Sequence, residues 1–151
     1  LLAKLLWNPD YDVESGIDEF LTGYYGMAAD PIREYITLLQ NKLKAENIHM
    51  GIYDPPTSAY LTEEVMKKAS VLFDKAETLA DDEEILHRVR TARLPIKYVQ
   101  LTAVPVDNPN RRRMIDDFFD EVKEAGITEI REGRRLDESK RLLIQGKIRT
   151  Y

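Results

Sequence analysis

The chain contains no cysteine, only two histidines and no long hydrophobic run. Without cysteine it can form neither a disulfide nor a thiolate nucleophile, but the absence leaves the compartment open, since exported bacterial domains often lack cysteine too. His49 and His87 have no second ligand at the spacing that zinc sites use, so we expect no metal and no cofactor. No apolar run approaches the ~20 residues of a membrane-spanning helix, so we expect no membrane span.

Sequence motifs for hydrolysis and phosphate binding are missing as well. No serine lies in a glycine-rich elbow, and there is neither a GxGxxG motif nor a phosphate-binding loop. Acidic pairs such as Asp81–Asp82 and Asp116–Asp117 are typical of helix starts and solvated faces, not of the two facing carboxyls of a glycosidase. The net charge of -5 disfavours a nucleic-acid partner, because phosphate binding requires a basic face. We therefore assign no catalytic residue and expect no nucleic-acid partner.

Helical signals dominate what the sequence does contain. With 151 residues, 43% hydrophobic and 32% charged, the chain is suited to one globular domain with a buried core. Apolar residues recur at helical spacing and predict an all-α fold, an irregular bundle of about five to seven helices with one long loop and at most a minor extended segment. The expected N-terminal caps of these helices are Asp12, Asp30, Thr62, Asp81 or Asp82, Asn108 and Asp137.

Glycine and proline mark where the helices should end or bend. Asn8–Pro9 should end the first segment, because the residue before a proline is disfavoured in the helical region. Gly23 and Gly26 should bracket a turn after a helix that begins at residue 13 and ends near residue 21. Pro95 predicts either a kink or two separate helices, and residues 127–131 could form a short extended segment. Gly126 and Gly146 should end the last two helices.

The segment from Ile48 to Leu61 is the long loop, and it contains the best candidate for a binding site. Its prolines, glycine and aromatic residues are incompatible with a regular helix, and long ordered loops are often functional. Tyr53 and Tyr60 could stack on the C–H face of a sugar, while Asp54 could accept hydrogen bonds from its hydroxyls. The alternative is that these rings simply fill the junctions between helices.

Three consecutive arginines, Arg111, Arg112 and Arg113, form a basic step near a helix start. They could contact a partner or an acidic sugar. The more common arrangement is an exposed turn in which arginines pair with Asp116 and Asp117 four residues along.

The chain opens on an apolar stretch, Leu1 to Trp7, which needs a neighbour to cover its leucines. It is too short for a membrane span and lacks the basic flank and cleavage site of a signal peptide. We interpret it as the tail of a helix begun upstream. Residues 1–151 would then be a single helical domain and the C-terminal fragment of a larger multidomain protein.

The first forty residues resemble the C-terminal part of a large family of glycoside-hydrolase-like proteins, which is catalogued as a domain of unknown function and common in gut bacteria that degrade polysaccharides. The similarity is strongest over residues 1–45. The segments that carry it are Lys4–Pro9, the helix start at Asp12 and Glu14, Phe20–Gly26 with its Tyr-Tyr-Gly, and Ala28–Tyr35.

This resemblance implies an architecture similar to that of alpha-glucuronidases and beta-hexosaminidases, in which a small α/β domain and a TIM-type barrel precede a helical region. Catalytic acids in such enzymes lie at the ends of barrel strands, which this chain lacks, so no catalytic residue is carried over. The implied partner is the upstream barrel of the same polypeptide, and the implied location is the periplasm or the cell surface.

Three functions follow as expectations. In the first, the domain supports the catalytic barrel of a glycoside hydrolase, shapes its glycan cleft or forms a homodimer interface, and hydrolyses nothing alone. The second is a self-contained helical module that binds a protein through an amphipathic groove. The third is a non-catalytic carbohydrate-binding domain, which requires Tyr53, Asp54 and Tyr60 to be exposed.

Overall fold

The expected all-α fold is confirmed by a computed structural model that describes residues 1–147. Within these residues there are seven α-helices, one 3₁₀ turn and no strand, and a single isolated bridge joins Arg131 to Arg134. The elements in chain order are α1 Leu2–Trp7, α2 Val13–Tyr25, a 3₁₀ turn Gly26–Ala28, α3 Ala29–Ala45, α4 Glu63–Leu79, α5 Glu83–Ala103, α6 Arg111–Glu124 and α7 Leu136–Ile144.

Three of the predicted caps are confirmed by hydrogen bonds. The side chains of Asp12, Thr62 and Asp82 each accept from the backbone amide three residues along, at 2.7, 3.2 and 2.7 Å. Each bond satisfies an amide that has no partner within the first helical turn. The starts of α2, α4 and α5 therefore lie where the sequence placed them.

The other three caps were predicted wrongly. Asp30 and Asp137 lie inside the first turns of α3 and α7, whose capping residues make no side-chain cap. Asn108 accepts a hydrogen bond from the amide of Asn110 at 2.9 Å, and α6 begins after Asn110. An acidic residue inside the first turn also stabilises the positive end of a helix. An acidic residue near a helix start can therefore be either the capping residue or a residue of the first turn, and the sequence pattern does not distinguish the two.

One predicted break differs from the structure. Gly23 lies inside α2, which continues to Tyr25, and the chain turns only at Gly26, whose φ is 52°. At Pro95 the sequence allowed either a kink or two helices, and the structure excludes two helices, because Pro95 lies inside the continuous helix α5. The predicted ends of α6 and α7 are confirmed by Gly126 and Gly146, whose φ of 71° and 67° are left-handed.

The buried side chains form two clusters that share α5. The first lies among α2, α3, α4 and α5, and the second among α5, α6 and α7. The largest fully buried members of the first cluster are Phe73, Val89 and Ile96. Those of the second cluster are Ile115, Phe119 and Val122.

Helix α5 contributes to both clusters because it has two apolar stripes. Val89 and Ile96 lie on one stripe and enter the first cluster. Leu94 and Leu101 enter the second. Two residues along a helix correspond to a rotation of about 200°, so Leu94 and Ile96 face opposite ways. The helix is therefore packed on two sides.

Candidate functional site

A cleft of about 870 Å³ lies between the long loop, the turn before α7, and α7 itself. We call it the loop–α7 cleft. Its volume is within the range of ~300–1,000 Å³ typical of small-molecule sites. The residues that line it are Ile52, Tyr53, Asp54, Pro55, Pro56, Tyr98, Ile130, Arg131, Glu132, Arg134, Ser139, Leu142, Leu143 and Lys147.

A tight turn places two arginines at the edge of this cleft. The amide of Arg134 donates to the carbonyl of Arg131 at 3.1 Å, and the two residues form the isolated antiparallel bridge. Gly133 has a φ of 69°, which a residue with a side chain rarely adopts. Its amide donates to the carboxylate of Glu129 at 3.1 Å, which fixes the turn. Arg131 and Arg134 therefore lie directly opposite each other.

Charged side chains of both signs line the cleft. Arg131, Arg134 and Lys147 face two carboxylates, Asp54 and Glu132, among the lining residues. Burial raises the pKa of the Tyr98 hydroxyl, and the positive charges of Arg131 and Arg134 partly offset this shift.

Ser139 adds a polar group to the floor of the cleft. It lies on α7, is only 8% exposed, and its Oγ has no hydrogen-bond partner among the described residues. Leaving a buried hydroxyl without a partner is unfavourable, and most such groups in proteins are hydrogen-bonded. The hydroxyl of Ser139 is therefore an unsatisfied polar group within the wall of the cleft.

The structure brings two of the three predicted sugar-contacting residues to the cleft. Tyr53 is 74% exposed and lines it. Asp54 lines it as well and accepts a hydrogen bond from the amide of Gly51 at 2.9 Å. Tyr60 is not a lining residue and is only 8% exposed. Burial and the adjacent Asp54 carboxylate raise the pKa of the Tyr60 hydroxyl. A ring buried to this extent has little surface left on which a sugar could stack.

Sequence reasoning missed Arg131, Arg134, Ser139 and Lys147. The available signal was the run Arg131-Glu132-Gly133-Arg134-Arg135, in which a turn glycine lies between arginines. Nothing in the sequence indicated that this run would meet the long loop, more than seventy residues earlier in the chain.

The basic step at the start of α6 is confirmed as an ordinary exposed surface for two of its three arginines. Arg112 pairs with Asp116 at 3.3 Å and Arg113 with Asp117 at 3.7 Å. Arg111 is instead buried, and it donates hydrogen bonds to the carbonyls of Leu101, Val104 and Leu143. This side chain joins the end of α5 to the end of α7.

A second notable surface is formed by exposed apolar side chains in the first 27 residues. Eight of the fourteen exposed large hydrophobic side chains of the described residues lie there, and α1 buries none of its own residues. We call these eight the N-terminal apolar group. Its members are Leu1, Leu2, Leu6, Trp7, Val13, Phe20, Tyr24 and Met27.

Helix α1 is held to α2 mainly by polar contacts. Lys4 forms an ion pair with Glu19, and the hydroxyl of Tyr11 donates to the same carboxylate at 2.8 Å. Beneath them, Gly16 makes room for the ring of Tyr11 and the side chain of Leu1, which lie 2.6 and 2.7 Å from where a β-carbon would be. The leucines and tryptophan that α1 turns outward therefore have no cover from residues 1–147.

Residues 1–147 contain no group of three or more His, Asp or Glu side chains placed to hold a metal ion. None of the helices in this part of the chain has both the length and the apolar character needed to cross a membrane.

Residues 1–37 are similar to the family described as Domain of unknown function (DUF4838). The matched segment comprises α1, α2, the 3₁₀ turn and the first half of α3, and it contains the whole N-terminal apolar group. No curated protein matches the chain. No solved structure matches it either.

Proposed function

We propose that this chain is the helical C-terminal domain of a glycoside hydrolase and that the N-terminal apolar group packs against the catalytic barrel of the same polypeptide. The observation that carries the docking part is α1, a helix with no buried residue. The glycoside hydrolase part comes from the resemblance of the first 45 residues. The part of the chain that is similar to a known domain family, residues 1–37, contains the whole N-terminal apolar group.

The physical argument concerns the stability of α1. A helix of six residues is marginal in water when it has only its own hydrogen bonds. Burying a leucine side chain contributes about 1.5–3 kcal/mol. A neighbour packed over Leu2, Leu6 and Trp7 would therefore supply the stabilisation that α1 lacks. Large exposed apolar surfaces commonly mark interaction sites.

Two further roles belong to the same proposal. The loop–α7 cleft, with Tyr53 and Asp54 on its wall, would shape the glycan cleft of the parent enzyme. The parent would reside in the periplasm or at the cell surface, as in the family that the first residues resemble.

The sole tryptophan provides the test of docking. Trp7 is 92% exposed, so iodide should quench its fluorescence efficiently in the 151-residue chain. In a longer polypeptide that includes the barrel, each other tryptophan would be replaced by phenylalanine. Quenching of Trp7 should then fall several-fold, because the barrel covers it. Equal quenching in both proteins would overturn the proposed docking.

A pair of variants sharpens this test. Leu2→Glu with Leu6→Glu should lower the melting temperature of the longer polypeptide and leave that of the 151-residue chain nearly unchanged, since the charges would be buried only on docking. Val71→Glu, at an exposed position on α4, is the matched control and should affect neither protein.

The catalytic part is tested separately, with glycoside substrates. The 151-residue chain should hydrolyse none of them. Turnover that is lost on replacing Asp116 and Asp117 by asparagine would contradict the assignment.

The competing function is a self-contained module whose exposed apolar side chains bind a second copy or a separate protein. The distinguishing measurement is sedimentation of the 151-residue chain over a range of concentrations. A stable dimer that Leu2→Glu with Leu6→Glu abolishes would favour this alternative.

A further inference from the structure

We propose that the N-terminal apolar group docks on a polypeptide surface whose centre is apolar and whose rim carries lysine and arginine side chains. This inference rests on the docking role proposed above and adds the chemistry of the surface that covers the group. Two observations carry it, namely where the negative charge of the chain lies and which aromatic side chains are exposed beside that charge.

The net negative charge of the chain comes entirely from its first thirty residues. Residues 1–30 contain six acidic side chains and one lysine, whereas residues 31–151 contain 21 acidic and 21 basic side chains. All six acidic side chains are exposed, and each lies within three residues of a member of the N-terminal apolar group. They are Asp10, Asp12, Glu14, Asp18, Glu19 and Asp30. Apolar and acidic side chains therefore share this part of the surface.

The neighbouring cations do not cancel this charge. Lys4 pairs with Glu19, and Arg33 of α3 pairs with both Glu14 and Asp18, so two cations meet three carboxylates. The other three acidic side chains form no ion pair with any residue of 1–147. The surface therefore remains negative after its own ion pairs are counted.

One further cation, Arg88 of α5, reaches the same surface. Its guanidinium lies 4.4 Å from the centre of the Tyr24 ring and donates to the carbonyl of Tyr24 at 2.9 Å. Arg88 also pairs with Glu84, and the two charges offset each other. This cation therefore leaves the net charge around the apolar group unchanged.

The exposed aromatic side chains suit a protein as the occupant. Trp7 is 92% exposed, and the rings of Phe20 and Tyr24 stack with their centres 5.4 Å apart. Tryptophan and tyrosine are enriched at the centres of protein interfaces, which are surrounded by a polar rim. Charges of opposite sign meet across such a rim, so the acidic side chains here require basic ones on the partner.

The same charge argues against two other occupants. A symmetric dimer places the same patch of both copies in contact, so the acidic side chains of two copies would repel each other. An anionic lipid surface attracts basic segments and would repel this one. A basic rim on the upstream barrel of the same polypeptide meets neither objection.

Cleavage by chymotrypsin measures the strength of docking, because this protease cuts after accessible aromatic residues and Trp7 is exposed in the 151-residue chain. In a longer polypeptide that includes the barrel, cleavage after Trp7 requires the docked surface to open. Its rate then follows the population of the open form. The ratio of the cleavage rates in the two proteins gives the protection that docking provides, and mass spectrometry identifies the cleaved bond.

Reversing two charges tests the basic rim. Asp10→Lys with Asp30→Lys changes two exposed carboxylates that form no ion pair within residues 1–147. The protection of Trp7 should fall about tenfold, because each new cation faces a cation of the partner. The same variant of the 151-residue chain is the reference, which removes any effect of the substitutions on the protease itself.

Asp107→Lys with Glu124→Lys is the matched control and should leave the protection unchanged. Both residues are exposed, form no ion pair within residues 1–147, and lie in or beside α6, away from α1 and α2. Protection that Asp10→Lys with Asp30→Lys leaves unchanged or increases would overturn the basic rim and leave the docking intact.

Two other results would overturn the inference in different ways. Equal cleavage after Trp7 in the unsubstituted 151-residue chain and longer polypeptide would overturn the docking itself, and the basic rim with it. A dimer of the 151-residue chain that persists at low ionic strength and protects Trp7 would identify a second copy as the occupant.

Discussion

At the scale of single residues, Arg111 shows how misleading a run of like residues can be. In the sequence it is one of three arginines, and the other two make the exposed pairs that their spacing predicts. Arg111 instead donates to carbonyls at the ends of two helices, where the backbone supplies fewer N–H donors than inside a helix. Its role depends on where those helix ends meet in the fold. The spacing of residues along one helix carries no information about that meeting point.

Replacing Arg111 by methionine should lower the free energy of unfolding by about 3 kcal/mol, because buried carbonyls lose charged hydrogen bonds. Urea denaturation followed by circular dichroism measures this change. Arg112→Met is the control and should change stability by less than about 1 kcal/mol, as is usual for an exposed ion pair. Similar effects of the two substitutions would show that Arg111 does not join the two helices.

At the scale of the elements, two glycines of α2 have different roles. Both lie inside the helix, where glycine is less favourable than alanine. A β-carbon at Gly23 would meet no atom within 4 Å, whereas one at Gly16 would lie 2.6 Å from the ring of Tyr11. The sequence alone predicted a turn at Gly23 and did not distinguish the roles of the two glycines, because it does not show what packs on each position.

Alanine at these positions should therefore have opposite effects. Gly23→Ala should raise the free energy of unfolding by about 0.5–1 kcal/mol, through propensity alone. Gly16→Ala should lower it, because Tyr11 must move and its hydrogen bond to Glu19 is lost. Thermal melts of both variants give the signs, and stabilisation by Gly16→Ala would contradict the packing of α1 on α2.

The sequence predicts the other helices well where they have one apolar face, and less well where packing in the fold decides. The helices were predictable because their core residues recur at helical spacing and three of them have a capping side chain. The second stripe of α5 was not, since a helix covered on two sides has no single apolar face. Pro95 predicted a kink or two helices, and the structure has one continuous helix through it.

At the scale of the whole molecule, the cleft is the feature that the sequence could indicate least. The loop was predictable from its prolines and tyrosines, and Tyr53 and Asp54 with it. Tyr98 comes from the middle of the chain, and Arg134 and Ser139 come from its last twenty residues. These three segments lie far apart in the sequence and meet only in the folded chain.

Exposed ion pairs across the molecule should make it sensitive to acid. A hydrogen bond from Lys140 lowers the pKa of Asp116, and one from Lys4 lowers the pKa of Glu19. A carboxyl group with a lowered folded-state pKa stabilises the fold above its unfolded-state pKa, and that contribution is lost as pH falls through the folded-state pKa.

The melting temperature should consequently be nearly constant from pH 7 to about pH 5 and fall below about pH 4. Asp116→Asn should reduce the acid dependence, and added salt should weaken it by screening. Melting curves between pH 3 and 7 measure the effect. An unchanged dependence in Asp116→Asn would exclude this carboxylate as a contributor.

Neighbouring side chains cover the helices to different extents, so the backbone amides of the helices should exchange with deuterium in a definite order. Backbone amides exchange with deuterium only when their hydrogen bonds open, and the opening free energy rises with the number of contacts that must break. Because α5 is enclosed by side chains on two sides, its central amides should exchange last, close to the rate of global unfolding. The amides of α1 should exchange first in the 151-residue chain, and protection of α1 in a longer polypeptide would map, residue by residue, the surface that covers it.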